Sequence, residues 1–321
     1  MSKTLKILSR PKGNAEEYGR WSVNPYIGCS HGCLYCYLKK GPSGAYLGQG
    51  SPELKKGVVN EEHAYHLAMA EIIANRDEII RDGGLFMTFT SDPCAKETRE
   101  LFFRIIGVCI GHAATPKDKV VPVTLLTKNA DFCGYDIDVV DTREKARRIN
   151  AWISNIAMFN AEMLRDRLAI GFTLTGHDEL EPNASTNTER ITAMKWLGRK
   201  YNVWASIEPV IDFDASYQMI ADAIAAGCRH FKIGLLTNNT RVVRKDFSFG
   251  EHHFKAYRRD EAMQFVGYVM EMTQGLATVY WKQSFVDFFG DEPVHGMTAQ
   301  EFLHQWPHSV DKDWSMFNNK Y

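Results

Sequence analysis

Three cysteines lie within eight residues of one another near the N-terminus. Cys29, Cys33 and Cys36 form a C-x3-C-x2-C pattern inside WSVNPYIGCSHGCLYCY, residues 21–37. Thiolates this close in sequence commonly bind a metal. Structural zinc takes four ligands, but no fourth cysteine or well-spaced histidine follows, and His31 lies too close to Cys29 to share the metal without strain. Three cysteines on a four-iron cluster leave one iron open. The pattern favours such a cluster over zinc or ordinary buried thiols.

The cysteine stretch resembles the cluster loop of the radical S-adenosylmethionine (SAM) superfamily. In that superfamily SAM binds the open iron and is reductively cleaved to a 5′-deoxyadenosyl radical, which abstracts hydrogen from a substrate. Tyr35 matches an aromatic position that the resemblance places near the adenine. The wider sequence NPYIGCSHGCLYCY resembles the spore photoproduct lyase-like branch, a group related to a DNA-repair enzyme. The resemblance favours a nucleic-acid substrate, with a peptide or a small molecule as the alternative. It also implies an external electron donor of the flavodoxin or ferredoxin type.

Further SAM-binding residues follow from the same resemblance, each at the end of a predicted strand. It implies that Lys128 and Thr173 lie near the SAM carboxylate, that Ser91 and Asp92 receive the SAM amine, and that Glu208 lies near the adenine. Lys128, Asp92 and Thr173 also have simpler explanations. In these explanations Lys128 would be a solvated residue after a strand, and Asp92 would cap a helix or shape the turn before a proline. Thr173 would be present because threonine readily forms strands.

Cys94 is the candidate catalytic residue outside the cluster loop. In the best-known member of the branch, a hydrogen-donating cysteine stands immediately before a Thr-Ser-Asp triplet, and this chain has Phe89 there. Cys94 lies two residues beyond Asp92, near the expected pocket but not at the matching position. A buried, inert thiol is the alternative.

Apolar strand-like runs alternate with helical patterns about seven times, which predicts an α/β protein with a parallel sheet covered by helices. An open doubly wound sheet and a (β/α) barrel both fit this alternation. The chemistry-bearing residues fall where strands end, which favours a barrel, and the resemblance implies a partial TIM-like (β/α)6 barrel with an extra strand. The predicted strands are 22–27, 85–90, 120–127, 168–175, 202–210, 230–236 and 277–283. The predicted helices are 60–81, 96–111, 142–167, one ending near residue 200, 215–226 and 260–274.

The chain divides into three predicted parts. Residues 1–20 are a polar lead-in, residues 21–237 form the barrel, and residues 238–321 are a C-terminal extension. The extension begins with an insertion, 238–259, that is rich in arginine, lysine and aromatic residues. This composition is suited to stacking on single-stranded or flipped nucleotides, but it is more often that of a solvated loop with a few packed aromatic residues.

Composition limits the functional classes. At 321 residues and 45% hydrophobic content, the chain can bury a large core. A net charge of −1 gives no overall attraction to nucleic acid. No apolar run of about 18 residues predicts a membrane span, and the polar N-terminus does not resemble a signal peptide. Seven cysteines, three of them clustered, favour a reducing compartment, so we expect a cytoplasmic protein. The rivals to a radical SAM enzyme are a zinc-bound or redox-sensing module without catalysis and a cluster protein with non-radical chemistry.

Overall fold

The central element is an eight-stranded sheet in which seven strands run parallel in chain order. The computed structural model describes residues 5–39, 50–111, 115–133, 166–199, 201–238, 241–312 and 317. The first edge strand, β1, pairs antiparallel with β2. The sheet strands in spatial order are β1 (Leu8–Ser9), β2 (Ser22–Val23), β5 (Leu85–Met87), β6 (Val123–Thr127), β7 (Leu168–Thr173), β8 (Asn202–Val210), β9 (His230–Leu235) and β14 (Thr278–Trp281).

Helices connect the strands and pack against one face of the sheet. Several begin at a side chain that accepts a backbone N–H of the first turn, as Asn60, Thr186, Asp212 and Thr298 do. The helices are α1 (Glu61–Ala74), α2 (Arg76–Arg81), α3 (Arg99–Ile110), α4 (Asn187–Leu197), α5 (Phe213–Ala225), α6 (Arg259–Thr273), α7 (Gln283–Phe289) and α8 (Ala299–His304). A parallel-rich α/β fold, as the alternation predicted, is therefore confirmed.

Side chains alternate between the two faces of each strand. In β8, Val203, Ala205 and Ile207 pack in the helix-covered core, so Trp204 and Ser206 lie on the opposite face. We call that opposite face the inner face; it carries Phe86, Ala169, Gly171, Trp204, Ser206, Lys232 and Tyr280. The buried strands read as nearly unbroken apolar runs because most positions on both faces are covered.

The segment before β2 crosses the inner face. The ring of Tyr18 lies 5.4 Å from that of Phe86 in β5 and 6.2 Å from that of Trp204 in β8. These strands are three positions apart, about 14 Å in a flat sheet. The Lys282 ammonium, just after β14, also lies 4.4 Å from the Tyr18 ring centroid. The sheet therefore curves around Tyr18.

Two predicted elements are divided in the structure, and a third falls almost entirely outside the described residues. The helix predicted over 60–81 is two helices, because the Asn75 side chain donates to the Glu71 carbonyl and competes with the backbone ladder. The strand predicted over 22–27 is split into β2 and β3 (Tyr26–Ile27), with Pro25 between them. β3 pairs instead with β4 (Glu53–Leu54). The helix predicted over 142–167 falls almost entirely outside the described residues.

The insertion predicted to be basic and aromatic folds into two hairpins. They are β10 (Thr237–Asn238) with β11 (Arg241–Val242) and β12 (Phe247–Phe249) with β13 (His252–Phe254). The rings of Phe247 and Phe254 stack at 5.4 Å, and Phe247 also lies 6.1 Å from Tyr257. These aromatic side chains pack on one another and on the core, so they are not a free platform for bases. No helix in the described ranges is long and apolar enough to cross a bilayer.

Candidate functional site

The cysteine loop follows β3 and lies between the segments that follow β5 and β7. Gly28 donates its N–H to the Thr90 carbonyl at 2.9 Å, and Leu34 donates to the Leu180 carbonyl at 2.9 Å. Gly28 has φ of +98°, and a Cβ there would lie 3.2 Å from the Ser51 carbonyl oxygen. The backbone thus fixes the loop beside the carboxyl ends of β5 and β7.

The three thiols of the loop are reduced and largely shielded from solvent. Cys33 is buried, while Cys29 and Cys36 are partly exposed. Burial, assisted by the Asp92 carboxylate, raises the pKa of Cys29 to about 12. Burial also raises the pKa of Cys33, against the effect of the nearby Lys128 ammonium. Across the described ranges, no three or more His, Cys, Asp or Glu side chains are arranged to hold a metal ion. The donor types suit an iron–sulfur cluster, but the thiols do not form a ready-made metal centre.

Asp92 organises the ends of two strands and the cysteine loop. Its Oδ1 accepts from the Cys94 N–H at 2.8 Å and from the Thr127 hydroxyl at 2.7 Å. Its Oδ2 accepts from the Lys128 N–H at 2.8 Å and lies 2.9 Å from His31 Nε2. Burial opposes ionisation, but His31 and these hydrogen bonds lower the pKa of Asp92 to about 2. Asp92 therefore positions the turn, as the simpler explanation of this residue proposed, and its predicted contact with SAM remains a prediction.

Tyr35 is held by a buried ion pair. Its hydroxyl donates to the Glu181 carboxylate, and the Arg190 guanidinium pairs with the other oxygen of Glu181 at 2.5 Å. Arg190 also donates to the carbonyls of Lys128 at 3.1 Å and Thr173 at 2.9 Å. Neither side chain of the Arg190–Glu181 pair has exposed surface. Through its hydrogen bonds and this ion pair, Arg190 fixes the ends of β6 and β7 and, by way of Glu181, Tyr35.

Lys128 and Ser91 carry unused hydrogen-bonding capacity beside the loop. The Lys128 ammonium lies 5.5 Å from the Tyr35 ring centroid, and within the described chain no carboxylate lies within 4.0 Å of it. Burial opposes its charge, but Cys33 and Glu181 raise the pKa of Lys128. The Ser91 hydroxyl is buried without a hydrogen-bond partner among the same residues. Buried polar groups without partners are uncommon, and they suit the binding of a polar ligand.

The other predicted site residues, Thr173, Glu208 and Cys94, make different contacts. The carbonyl of Thr173 accepts a hydrogen bond from Arg190, and its side chain is buried at the end of β7. Glu208 lies on the β8–β14 side of the inner face, where both its oxygens are 2.7 Å from Lys282 Nζ. Cys94 is fully buried in the main core. The structure brings Tyr35, Ser91, Asp92 and Lys128 to the cysteine loop, and Arg190 ties the end of β7 at Thr173 to them. Glu208 instead pairs with Lys282 on the inner face. The roles of these residues toward SAM remain predictions.

Glu208, a predicted site residue, belongs to a second polar cluster on the inner face, which also contains Glu17, Tyr18, Lys232 and Lys282. Sequence reasoning missed Glu17, Tyr18 and Lys232. The lysine inside the apolar run HFKIGLL was the one local signal for these three residues. Glu17 and Tyr18 gave none, because the segment that carries them reads as a polar lead-in.

The fold, but not the sequence, resembles known proteins. No protein-family model matches the sequence, and no curated protein matches it. The crystal structure of Streptococcus suis SuiB bound to S-adenosylmethionine superposes with a TM-score of 0.50 at 10% identity, covering 91% of this chain and 57% of that one. A second structure of SuiB has a TM-score of 0.48 at 11% identity, covering 85% and 52%. The chain therefore spans just over half of SuiB, and the likeness establishes a shared fold.

Proposed function

We propose that the chain is a radical SAM enzyme in which Cys29, Cys33 and Cys36 hold a [4Fe-4S] cluster. One observation carries the proposal: the three-cysteine loop lies beside Lys128, an ammonium that no carboxylate within 4.0 Å neutralises in the described chain. SAM carries a carboxylate that such a cation binds. The bound SAM in the SuiB structure, whose fold this chain shares, supports the same ligand.

When bound, the cluster would supply an electron that cleaves SAM. The residues of this chain would bind and orient the cofactor. Lys128 offers its ammonium to the SAM carboxylate, and Ser91 offers a hydrogen bond from a buried hydroxyl. Tyr35, fixed by Glu181, presents its ring to the adenine. Tyr35 is buried and Lys128 and Ser91 are half-buried, which limits the access of water to the site.

The finer assignments extend this proposal. The curvature of the sheet around Tyr18 supports a partial (β/α)6 barrel, with β14 as the extra strand. The division at residues 20 and 237, the spore photoproduct lyase-like branch, a nucleic-acid substrate and an external electron donor remain predictions from sequence. The packed rings of the insertion add no support for base stacking.

The test is anaerobic reconstitution with iron and sulfide, reduction with dithionite, and addition of SAM. We expect 5′-deoxyadenosine from the native chain and none from the variant with all three loop cysteines changed to Ala. Iron and sulfide should be bound by the native chain alone, with broad absorption near ~400 nm. Bound zinc, with no 5′-deoxyadenosine, would instead establish the alternative of a zinc-bound or redox-sensing module.

A further inference from the structure

Both carboxylates in the polar cluster of the inner face are ion-paired with one lysine. Lys282 Nζ lies 2.7 Å from both oxygens of Glu208 and 3.2 Å from Glu17 Oε2. Glu17 Oε1 accepts from the Tyr280 hydroxyl at 3.0 Å and from the Gln283 N–H at 2.7 Å. The Tyr18 hydroxyl donates to Glu208. Both carboxylates therefore bind the same lysine and the groups around it.

Lys232, the second lysine of the cluster, has no carboxylate within 4.0 Å in the described chain. Its ammonium donates to the backbone carbonyl of Glu17 and lies 4.9, 5.6 and 5.8 Å from the ring centroids of Tyr18, Tyr280 and Trp204. Burial, with the nearby Lys282 ammonium, lowers the pKa of Lys232 to about 7, against the effect of the two carboxylates. An ammonium has three donors, so Lys232 keeps donors that the described residues do not fill.

Trp204 supplies another unused donor close by. Its indole N–H is buried without a hydrogen-bond acceptor among the described residues, and its side chain is 0% exposed. The ring lies against Gly171, and its centroid is 5.8 Å from the Lys232 ammonium. An unfilled buried N–H is costly, and an oxygen acceptor would relieve that cost.

The cluster lies next to the cysteine loop. Tyr37, directly after Cys36, donates from its hydroxyl to the Phe89 carbonyl, and the Phe89 ring lies 6.1 Å from the ring of Tyr18 in the cluster. A molecule on the inner face would therefore be near both the loop and Lys232.

We propose that Lys232 and Trp204 form a subsite that binds a carbonyl oxygen of the substrate, of the neutral amide or lactam type. A carbonyl oxygen has two lone pairs, one for each donor. We expect a neutral ligand because the carboxylates of Glu17 and Glu208 already balance the charges of the two lysines. These carboxylates would repel an anionic ligand. That this ligand is the substrate rests on the proposed radical SAM function. That the subsite binds a carbonyl group does not rest on it.

The test is fragment binding to the reconstituted protein, followed by NMR of chain-incorporated lysine labelled with 13C at Cε. The Lys232 signal is the one lost in Lys232→Met. Benzamide, benzoate and benzylamine share a ring and differ in the group offered to the donors. We expect benzamide to shift the Lys232 signal saturably and to bind at least tenfold more tightly than the other two. Equal or tighter binding of benzoate or benzylamine, or no shift with any fragment, would overturn the proposal.

Two tryptophan variants separate the donor from general packing. Trp204→Phe removes the N–H and should weaken benzamide about tenfold, the worth of one hydrogen bond to a buried group. Trp281→Phe is the matched control, because its N–H is also buried without a partner but its side chain packs in the helix-covered core. It should leave the affinity unchanged, and an equal loss in both variants would contradict the subsite.

Addition of SAM tests whether the subsite binds a carbonyl group of the substrate or one of SAM. We expect SAM to leave the Lys232 signal and the benzamide affinity unchanged. Displacement of benzamide by SAM would assign the subsite to SAM and overturn the proposal. Benzamide binding without 5′-deoxyadenosine formation would contradict the radical SAM function but not the subsite.

Discussion

The Tyr35 hydroxyl donates a hydrogen bond to the Glu181 carboxylate, which joins the cysteine loop to the segment that follows β7. Arg190 pairs with Glu181 and also binds the carbonyls of Lys128 and Thr173. The aromatic residue before the third cysteine is therefore fixed by the same arginine that fixes two strand ends. This arrangement couples the stability of the fold to the geometry of the loop.

Replacement of Arg190 by Met should be strongly destabilising. It leaves the Glu181 carboxylate buried and unpaired, a change that typically costs about 3–5 kcal/mol. The measurement is the free energy of unfolding in urea. Arg190→Met/Glu181→Gln should recover part of the loss because no charge then remains. Arg81→Met, at an exposed arginine, should cost less than about 1 kcal/mol. A loss in Arg190→Met no larger than in this control would contradict the role of the pair.

Lys128→Met should weaken SAM binding without unfolding the protein. Loss of a charged hydrogen bond is worth about 1.5–3 kcal/mol, or roughly a 10–100-fold increase in Kd. Calorimetric titration of the reconstituted protein with SAM measures this change. Lys39→Met is the matched control, because Lys39 lies on the outside of the same loop and donates to the Gly32 carbonyl. An unchanged Kd in Lys128→Met would remove Lys128 from the site.

Gly171→Ala should destabilise the inner face. A Cβ at Gly171 would lie 2.1 Å from Cε2 of the buried Trp204, so the indole or β7 must move, typically at about 1–3 kcal/mol. Gly267→Ala is the control, since Gly267 is in α6 with open space around it. Alanine favours helices, so this change should stabilise by about 0.5–1 kcal/mol. A lower Tm for Gly171→Ala and a higher Tm for Gly267→Ala would establish the close contact between Gly171 and Trp204. Equal shifts of Tm in the two variants would refute it.

Cys94→Ala tests the predicted hydrogen donor. The thiol is fully buried in the core, so we expect 5′-deoxyadenosine formation to persist and the free energy of unfolding to fall by about 1 kcal/mol. The measurements are product yield with SAM and urea unfolding. Wild-type stability combined with loss of substrate turnover, once a substrate is known, would instead support the catalytic role.

His177 should make stability depend on pH. Burial opposes its charge, but Asp212 and Glu179, on either side of the ring, raise the pKa of His177 above its ordinary value near 6.5. A raised folded-state pKa gives stabilisation that is fully present below about 6.5 and lost as pH rises through the folded-state value.

His177→Gln removes the imidazole. The difference in free energy of unfolding between wild type and this variant should therefore be largest at pH 5–6 and shrink toward pH 9. A difference that does not change with pH would show that His177 packs without contributing charge.

The sequence by itself determined the features that depend on local pattern. Strands β6 to β9 and helices α3, α5 and α6 lie close to where their apolar periodicity placed them. Cysteine spacing alone identified the loop, and the metal that this spacing favours remains a prediction. Lys128 and Ser91 were predicted as site residues from the family resemblance and not from periodicity. The sequence at a strand end is similar whether that end faces solvent or a pocket.

Only the tertiary structure decided which distant residues meet. Asp92 is satisfied by His31, Thr127 and two backbone N–H groups, which local sequence cannot show. Glu17 and Tyr18 read as part of a polar lead-in, yet sheet curvature brings them against Lys232 and Lys282. Long-range contacts of this kind depend on how strands twist and close, and hydrophobic period carries no information about that closure.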